Sequence, residues 1–384
     1  MENFDIITNR KGTASVKWDL TPRLFGEDDI LPLWVADMDF PAPNEVIQSL
    51  HKRIEHGIFG YSFATDKTNS AVASWFKNRH NWSFPEDAIL YSPGVVPSLA
   101  TAITTFTDKG DRILVQTPVY FPFFQLIQQN DREVIDCPLF QMNSHYEIDF
   151  DAFEKSLQQG VKLFLLCNPH NPVGKVWTKA ELTKMAQLCQ AYNVLIVSDE
   201  IHCDLVFPPH QHYAIAKDFK DTVITLTAPS KTFNIAGLQA SLLIIENQEL
   251  RVQYQNAQKK QGVFSLNALG LIGLEAAYTK GGPWLNELIS YIENNKKLVS
   301  SFLMENLPNV KLVETEGTYL LWLDFRALQL SEEKITELLH KKGKLALEPG
   351  SKYGEEGTGF FRMNIGCPKD TLEEAMFRLQ RALS

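Results

Sequence analysis

"VITLTAPSKTFNIAGLQASLLII", residues 223–245, decides the fold. Two apolar runs rich in β-branched residues, Val223–Thr227 and Ser241–Ile245, read as buried strands. Between them lies a turn-rich connection with a single lysine, Lys231, beside Pro229 and Ser230. The connection, 228–240, is 13 residues long, and Pro229 and Gly237 discourage a crossover helix within it. Parallel strands need a crossover, usually helical, so this pair is expected to be antiparallel. Lys231 then sits at the end of a buried strand, an unusual address for a solvated side chain.

Upstream, the pattern is different. "RILVQT" (112–117), "VKLFLLC" (161–167), "NVLIVSD" (193–199) and "TVITLT" (222–227) are further strand candidates, separated by helix-like stretches. In "TKAELTKMAQLCQAY" (178–192), Leu182, Met185, Leu188 and Cys189 fall on one helical face, and Thr178 is a cap candidate. Buried strands alternating with helices predict a mostly parallel sheet covered on both faces. Downstream, 284–305 reads as one long helix with an apolar stripe at Leu285, Leu288, Ile289 and Ile292. "TYLLWLDF" (318–325) and "GFFRMNIG" (359–366) read as strands of a second, smaller sheet. In the latter, Phe361, Met363 and Ile365 alternate with Arg362 and Asn364. The loop-rich first fifty residues are expected to pack with this C-terminal unit. The 384 residues divide into a large domain, 49–282, and a small α/β domain, 1–48 with 283–384.

Bulk properties narrow the function classes. A net charge of −9 disfavours nucleic acid and anionic membrane as main partners. No apolar run is long enough for a membrane span, and "MENFDIITNRKG" lacks a signal-peptide core. The cysteines, Cys137, Cys167, Cys189, Cys203 and Cys367, are scattered without a C-x-x-C pair, so reduced thiols and a cytoplasmic location are expected. No Cys/His spacing supports a metal site.

Ligands of open α/β sheets bind at the carboxyl ends of strands. Four features cluster there. "YSPGVVPSL" (91–99) passes from a strand into a helix, and Gly94, Val95 and Val96 offer N–H groups suited to phosphate. "LLCNPHNPVGKVW" (165–177) holds Asn168 and Asn171 between prolines, "LIVSDEIHCDL" (195–205) puts Asp199 after a buried strand, and Lys231 completes the set. Each alone has an ordinary explanation as a turn, a helix cap or a solvated cation. Together, a phosphate cradle, a buried acid, an asparagine and a lysine suit a phosphorylated heteroaromatic aldehyde. Pyridoxal 5'-phosphate has those parts: lysine binds the aldehyde, and an acid keeps the pyridine nitrogen protonated.

The order of "NPHNPVG", "SDEIH", "SKTFNIAG" and "FRMNIG" resembles the class I/II aminotransferase superfamily, fold type I of the pyridoxal-phosphate enzymes, over essentially the whole chain. "LWVADMDFPAP" (33–43), "SPGVVPSL", "DEIHCDL" and "APSKTFNIAGL" resemble its MalY/PatB-type branch of cystathionine β-lyases and related carbon–sulfur lyases. The resemblance implies a central sheet of seven strands and a homodimer with shared active sites. It implies that Lys231 holds the cofactor and moves the substrate's α-proton. Asp199 is implied to pair with the pyridine nitrogen, Asn171 with the phenolic oxygen, and Tyr120 to stack on the ring. Gly94, Val95, Val96 and Ser230 are implied to bind phosphate, with Tyr61 reaching a neighbouring subunit's phosphate. Arg362 is implied to take the substrate carboxylate, with Asn171 and Ala36 beside it. Cis peptide bonds are implied before Pro118 and Pro172.

Two positions depart from the aspartate-aminotransferase pattern. Gln239 stands where that pattern has an arginine, and His202 where it has a tyrosine. His202 is either a neighbour of the phenolic oxygen or a packed core histidine. The implied reaction is α,β-elimination of L-cystathionine, or of related cysteine S-conjugates, to a thiol, pyruvate and ammonia. The alternative is an aminotransferase using the same residues. A non-catalytic regulator on this scaffold would append a DNA-binding segment; none is visible, and Lys231 and Asp199 are both intact.

Overall fold

The computed structural model describes residues 2–27 and 29–384. The larger sheet contains β1 (Ile89–Ser92), β2 (Arg112–Val115), β3 (Glu133–Asp136), β4 (Val161–Cys167), β5 (Leu195–Asp199), β6 (Val223–Thr227) and β7 (Ser241–Ile244). Their spatial order is β1-β7-β6-β5-β4-β2-β3. β7 runs antiparallel to both β1 and β6, as the short 228–240 connection predicts, and all other neighbours are parallel.

The run "VKLFLLC" shows why this sheet is covered on both faces. Leu163 and Leu165 enter a core with Leu99, Ile113 and Val197, while Phe164 and Leu166 enter the opposite core with Leu114 and Ile196. Each fully buried side chain of this size contributes about 1.5–3 kcal/mol. The helix Lys179–Ala191 carries the chain from β4 to β5. Thr178 and Glu181 form a reciprocal capping box at its start, and Leu182, Met185 and Cys189 are buried.

The second sheet is antiparallel, with β8 (Lys311–Leu312), β9 (Leu320–Asp324), β10 (Glu348–Pro349) and β11 (Phe360–Asn364) in the order β8-β9-β11-β10. The helix Gly282–Asn306 buries Leu285, Leu288, Ile292, Val299 and Leu303. The N-terminal segment joins this unit: Leu31–Pro32 pairs in parallel with Leu345–Ala346, and Asp39 N–H donates to Gly366 O. From Asn44 onward the chain departs from it, and the helix Asn44–His56 packs against the helix Ala268–Lys280.

Candidate active site

The strand ends converge first. Cys167 at the end of β4 is the register partner of Asp199 at the end of β5, and Asp199 is in turn the partner of Leu226 in β6. The loops leaving these ends carry Asn171, His202 and Lys231. Peptide bonds before Pro118 and Pro172 are cis, and so are those before Pro169 and Pro209. Gly174 closes the asparagine loop at φ +73°, where a Cβ would also approach Thr315 Cγ2 to 2.6 Å.

Lys231 lies in the single helical turn Pro229–Thr232. Its Nζ donates to Ala36 O at 2.6 Å, and Tyr319 Oη donates to the same carbonyl at 3.0 Å. Burial pushes the amine down to about 8; Arg362 adds to this, while Asp37 and Asp199 oppose it. Asp199 is 4% exposed, and among the described residues its carboxylate has one hydrogen bond, from Ile201 N–H at 3.1 Å. Burial pushes the carboxyl up to about 7.

Arg362 comes from β11 of the other sheet. Its Nη1 donates to Asn171 Oδ1 at 3.1 Å and its Nη2 to Trp34 O at 2.9 Å, while Nε is buried without a partner among the described residues. The guanidinium also lies 5.3 Å from the centre of the Tyr353 ring. Tyr120 is half-buried; its phenol is pushed up to about 12 by burial and by the Asp199 charge. His202 is buried, with its ring 6.0 Å from that of Tyr319 and its Nδ1 unpaired among the described residues. Burial, with Lys231 and Arg362 close by, pushes it down to about 3, so the imidazole is neutral.

These contacts bring Lys231, Asp199, Asn171, Tyr120, His202, Arg362 and Ala36 together. Gly94 caps the helix Val95–Phe106 without a side-chain hydrogen bond, leaving the first N–H groups, those of buried Val95 and exposed Val96, at its mouth. Ser230 precedes Lys231 and is half-buried. Tyr61 stands apart, fully exposed among Ile58, Phe59, Phe63 and Phe264, which are exposed too. Gln239 is exposed at φ +50°.

Sequence reading missed Tyr319, Tyr353 and the carbonyl of Trp34. Tyr319 belongs to the quoted run "TYLLWLDF", but an aromatic in an apolar run carries no mark of a polar task. Among the described residues, one group has metal-ligand spacing: His80, Cys203 and Asp204. Asp204 already accepts from His80 Nε2 at 2.7 Å, Trp75 Nε1 at 3.1 Å and Thr232 Oγ1 at 3.0 Å. The cluster is thus a hydrogen-bonded support under the turn that holds Lys231.

The model of the family described as aminotransferase class I and II matches residues 28–379. The Bacillus subtilis (strain 168) protein named cystathionine beta-lyase PatB is 47% identical over 386 residues, covering all of both chains. A putative aminotransferase from Clostridium difficile 630, solved with PLP bound, is 41% identical, with a TM-score of 0.97 and full coverage of both chains. Cystalysin from Treponema denticola, whose structure contains pyridoxal 5'-phosphate, is 37% identical with a TM-score of 0.97, covering 100% of this chain and 99% of its own. With a family match along nearly its whole length and full-length relatives at this identity, the chain belongs to the class I and II aminotransferases.

Proposed function

We propose that the protein is a pyridoxal-phosphate-dependent carbon–sulfur β-lyase, which cleaves L-cystathionine to homocysteine, pyruvate and ammonia and accepts related cysteine S-conjugates. The observation that carries this reading is the 47% identity, along the whole chain, to a cystathionine beta-lyase.

The residues fit the cofactor. Asp199 is a buried carboxylate with one hydrogen bond, suited to a protonated ring nitrogen. Asn171 spends its Oδ1 on Arg362, which leaves its amide N–H groups for a phenolic oxygen. The helix start at Val95 and Val96, where Gly94 brings no side chain to the first N–H groups, suits a phosphate together with Ser230. Tyr120 supplies an aromatic face. When bound, pyridoxal phosphate supplies an electron sink for the charge left at the substrate's α-carbon.

The chain's own groups do the rest. Lys231, with its amine pushed down to about 8, is partly neutral near neutral pH and serves as the base for the α-proton. Arg362 binds the α-carboxylate through the guanidinium edge whose Nε has no partner, which sets rotation about the α–β bond. His202, uncharged, adds no positive charge beside Lys231. The β-thiolate is a good leaving group once the α-proton is gone.

The protein is further proposed to act in the cytoplasm as a homodimer in which Tyr61 completes the partner's phosphate site. Among the described residues no helix is long and apolar enough to cross a membrane. The proposed division is 49–282 against 1–48 with 283–384; the helix Asn44–His56 runs through the first boundary.

The test is to follow pyruvate, free thiol and the amine form of the cofactor together, with L-cystathionine and L-cystine side by side. Equal pyruvate and thiol without an added keto acid is expected. Turnover that stops at the amine form and resumes only with a keto-acid acceptor would replace this reading with an aminotransferase.

A further inference from the structure

The segment Trp34–Phe40 has no regular secondary structure, yet its carbonyls from 34 to 38 all accept side-chain hydrogen bonds. Trp34 O accepts from Arg362, Val35 O from Asn364, and Ala36 O from Lys231 and Tyr319. Asp37 O accepts from Asn364 and Lys17, and Met38 O from Arg10 and Asn234. The strap thus touches both cations of the site through its backbone.

Its two carboxylates are held from the other side. Lys17, with a fully buried side chain, places Nζ 2.7 Å from Asp39 Oδ2 and 3.8 Å from Asp37 Oδ1. Arg10 reaches Asp37 Oδ2 at 2.8 Å and Asp39 Oδ1 at 2.7 Å. Trp18 Nε1 donates to Asp39 Oδ1 at 2.9 Å. Such a cluster is poor evidence for stability in itself, since desolvation offsets most of the attraction. What it does is fix geometry: Arg10 and Lys17 each pair with both acids, so the two carboxylates are held from two directions.

We propose that Arg10 and Lys17 are positioning residues for Lys231 and Arg362, acting through Asp37 and Asp39 on the carbonyls of the Trp34–Phe40 strap. The proposal rests on the function above only for what Lys231 and Arg362 do. It carries an electrostatic corollary. Asp37 adjoins the carbonyl that Lys231 contacts, and its charge favours the protonated amine. Arg10 and Lys17 offset that charge. The other charged and titratable groups facing Lys231 are Asp199 and His202 from the β5 end, Arg362 from β11, and Tyr319 just before β9. None of these is substituted in the variants below.

The experiment measures the pH midpoint for acylation of Lys231 by acetic anhydride, read by peptide mass spectrometry on the full chain without cofactor. Arg10→Gln and Lys17→Met are expected to raise the midpoint, and Asp37→Asn to lower it, by roughly half a pH unit or more. Arg10→Lys is expected to restore the native value. In the cofactor-loaded protein, the KM for L-cystathionine is expected to rise more than kcat falls in Arg10→Gln, because Arg362 loses its orientation.

Damage to the fold would shift the Arg10→Gln and Asp37→Asn midpoints in the same direction, so opposite shifts identify the proposed coupling. Any other pattern in that pair overturns it. The pair decides without Lys17→Met, the variant most exposed to misfolding. A chain that never takes up pyridoxal phosphate would sink the proposed function, while the acylation midpoints would still decide this inference.

Discussion

Arg362 Nη1 donates to Asn171 Oδ1 at 3.1 Å, which ties a strand of the small sheet to the loop leaving β4 of the large one. The bond joins the residue proposed to hold the substrate carboxylate to the residue proposed to hold the cofactor's phenolic oxygen. Arg362→Ala should therefore affect both. Charge-assisted hydrogen bonds contribute about 1.5–3 kcal/mol each, so kcat/KM should fall at least ~10- to 100-fold. KM should rise and kcat should drop as well. Arg362→Lys should recover only part, since an ammonium cannot reproduce the fork that reaches Asn171, Trp34 and a carboxylate together. Steady-state kinetics on the two variants check this, and wild-type kcat in Arg362→Ala would refute the orienting role.

Asp199→Ala removes the buried carboxylate from the end of β5. The protein should take up pyridoxal phosphate more weakly, and its turnover should fall about 100-fold or more, in the range for loss of a group that holds a proton in place. Lys231→Ala should lose the borohydride-sensitive visible band altogether. Absorbance titration and product assays read both. Near-normal turnover in Asp199→Ala would remove that residue from the proposed site.

Tyr61 is fully exposed on the chain, beside Phe59 and Phe63. If it completes a partner's phosphate site, the protein sediments as a dimer and Tyr61→Ala binds cofactor more weakly. Mixing inactive Tyr61 and Lys231 variants under exchange conditions should restore part of the activity, because one site in each mixed dimer keeps both residues. A fully active monomer would contradict this.

Much of the frame was legible because the strands "VKLFLLC", "NVLIVSD" and "VITLT" are buried on both faces, which leaves little but apolar residues in them. The antiparallel β7 was legible from chain length and from Pro229 and Gly237. β3 was not, since Glu133–Asp136 is an edge strand with exposed and half-exposed residues and no apolar run. Lys231, Asp199, Asn171 and Arg362 were legible as a motif set; Tyr319, Tyr353 and Trp34 were not. The contacts of Tyr319 with Ala36 and of Arg362 with Trp34 span hundreds of positions, and Tyr353, which lies against Arg362, carries no mark of that task in its own sequence. Lys17 is the sharpest case. It lies in a polar, loop-rich stretch, where a lysine normally reads as solvated, and only the fold supplies Asp39 to bury it against.

Stability of the cofactor-free protein should record the burial of Asp199 and Lys231 in opposite directions. The Asp199 carboxyl is raised from 3.8 to about 7. Between those values the folded chain holds a proton that the unfolded chain has lost, so stability falls as pH rises through that window. The Lys231 amine is lowered from 10.5 to about 8. There the unfolded chain holds the extra proton, so stability falls as pH drops from 10.5 to 8. The two contributions are lowest together near pH 7–8, where a buried carboxylate and a buried ammonium coexist. Each limb amounts to a few kcal/mol at most, since a tenfold change in proton affinity corresponds to about 1.4 kcal/mol. Denaturant unfolding of the wild type should be compared with Asp199→Asn and Lys231→Met, so that the other titrating groups cancel. The difference from Asp199→Asn should change across pH 4–7 and level off above it. The difference from Lys231→Met should change across pH 8–10.5 and level off below it. Differences that stay constant across these windows would mean that neither group is buried as charged, and the case for Lys231 as a base ready near neutral pH would fail with them.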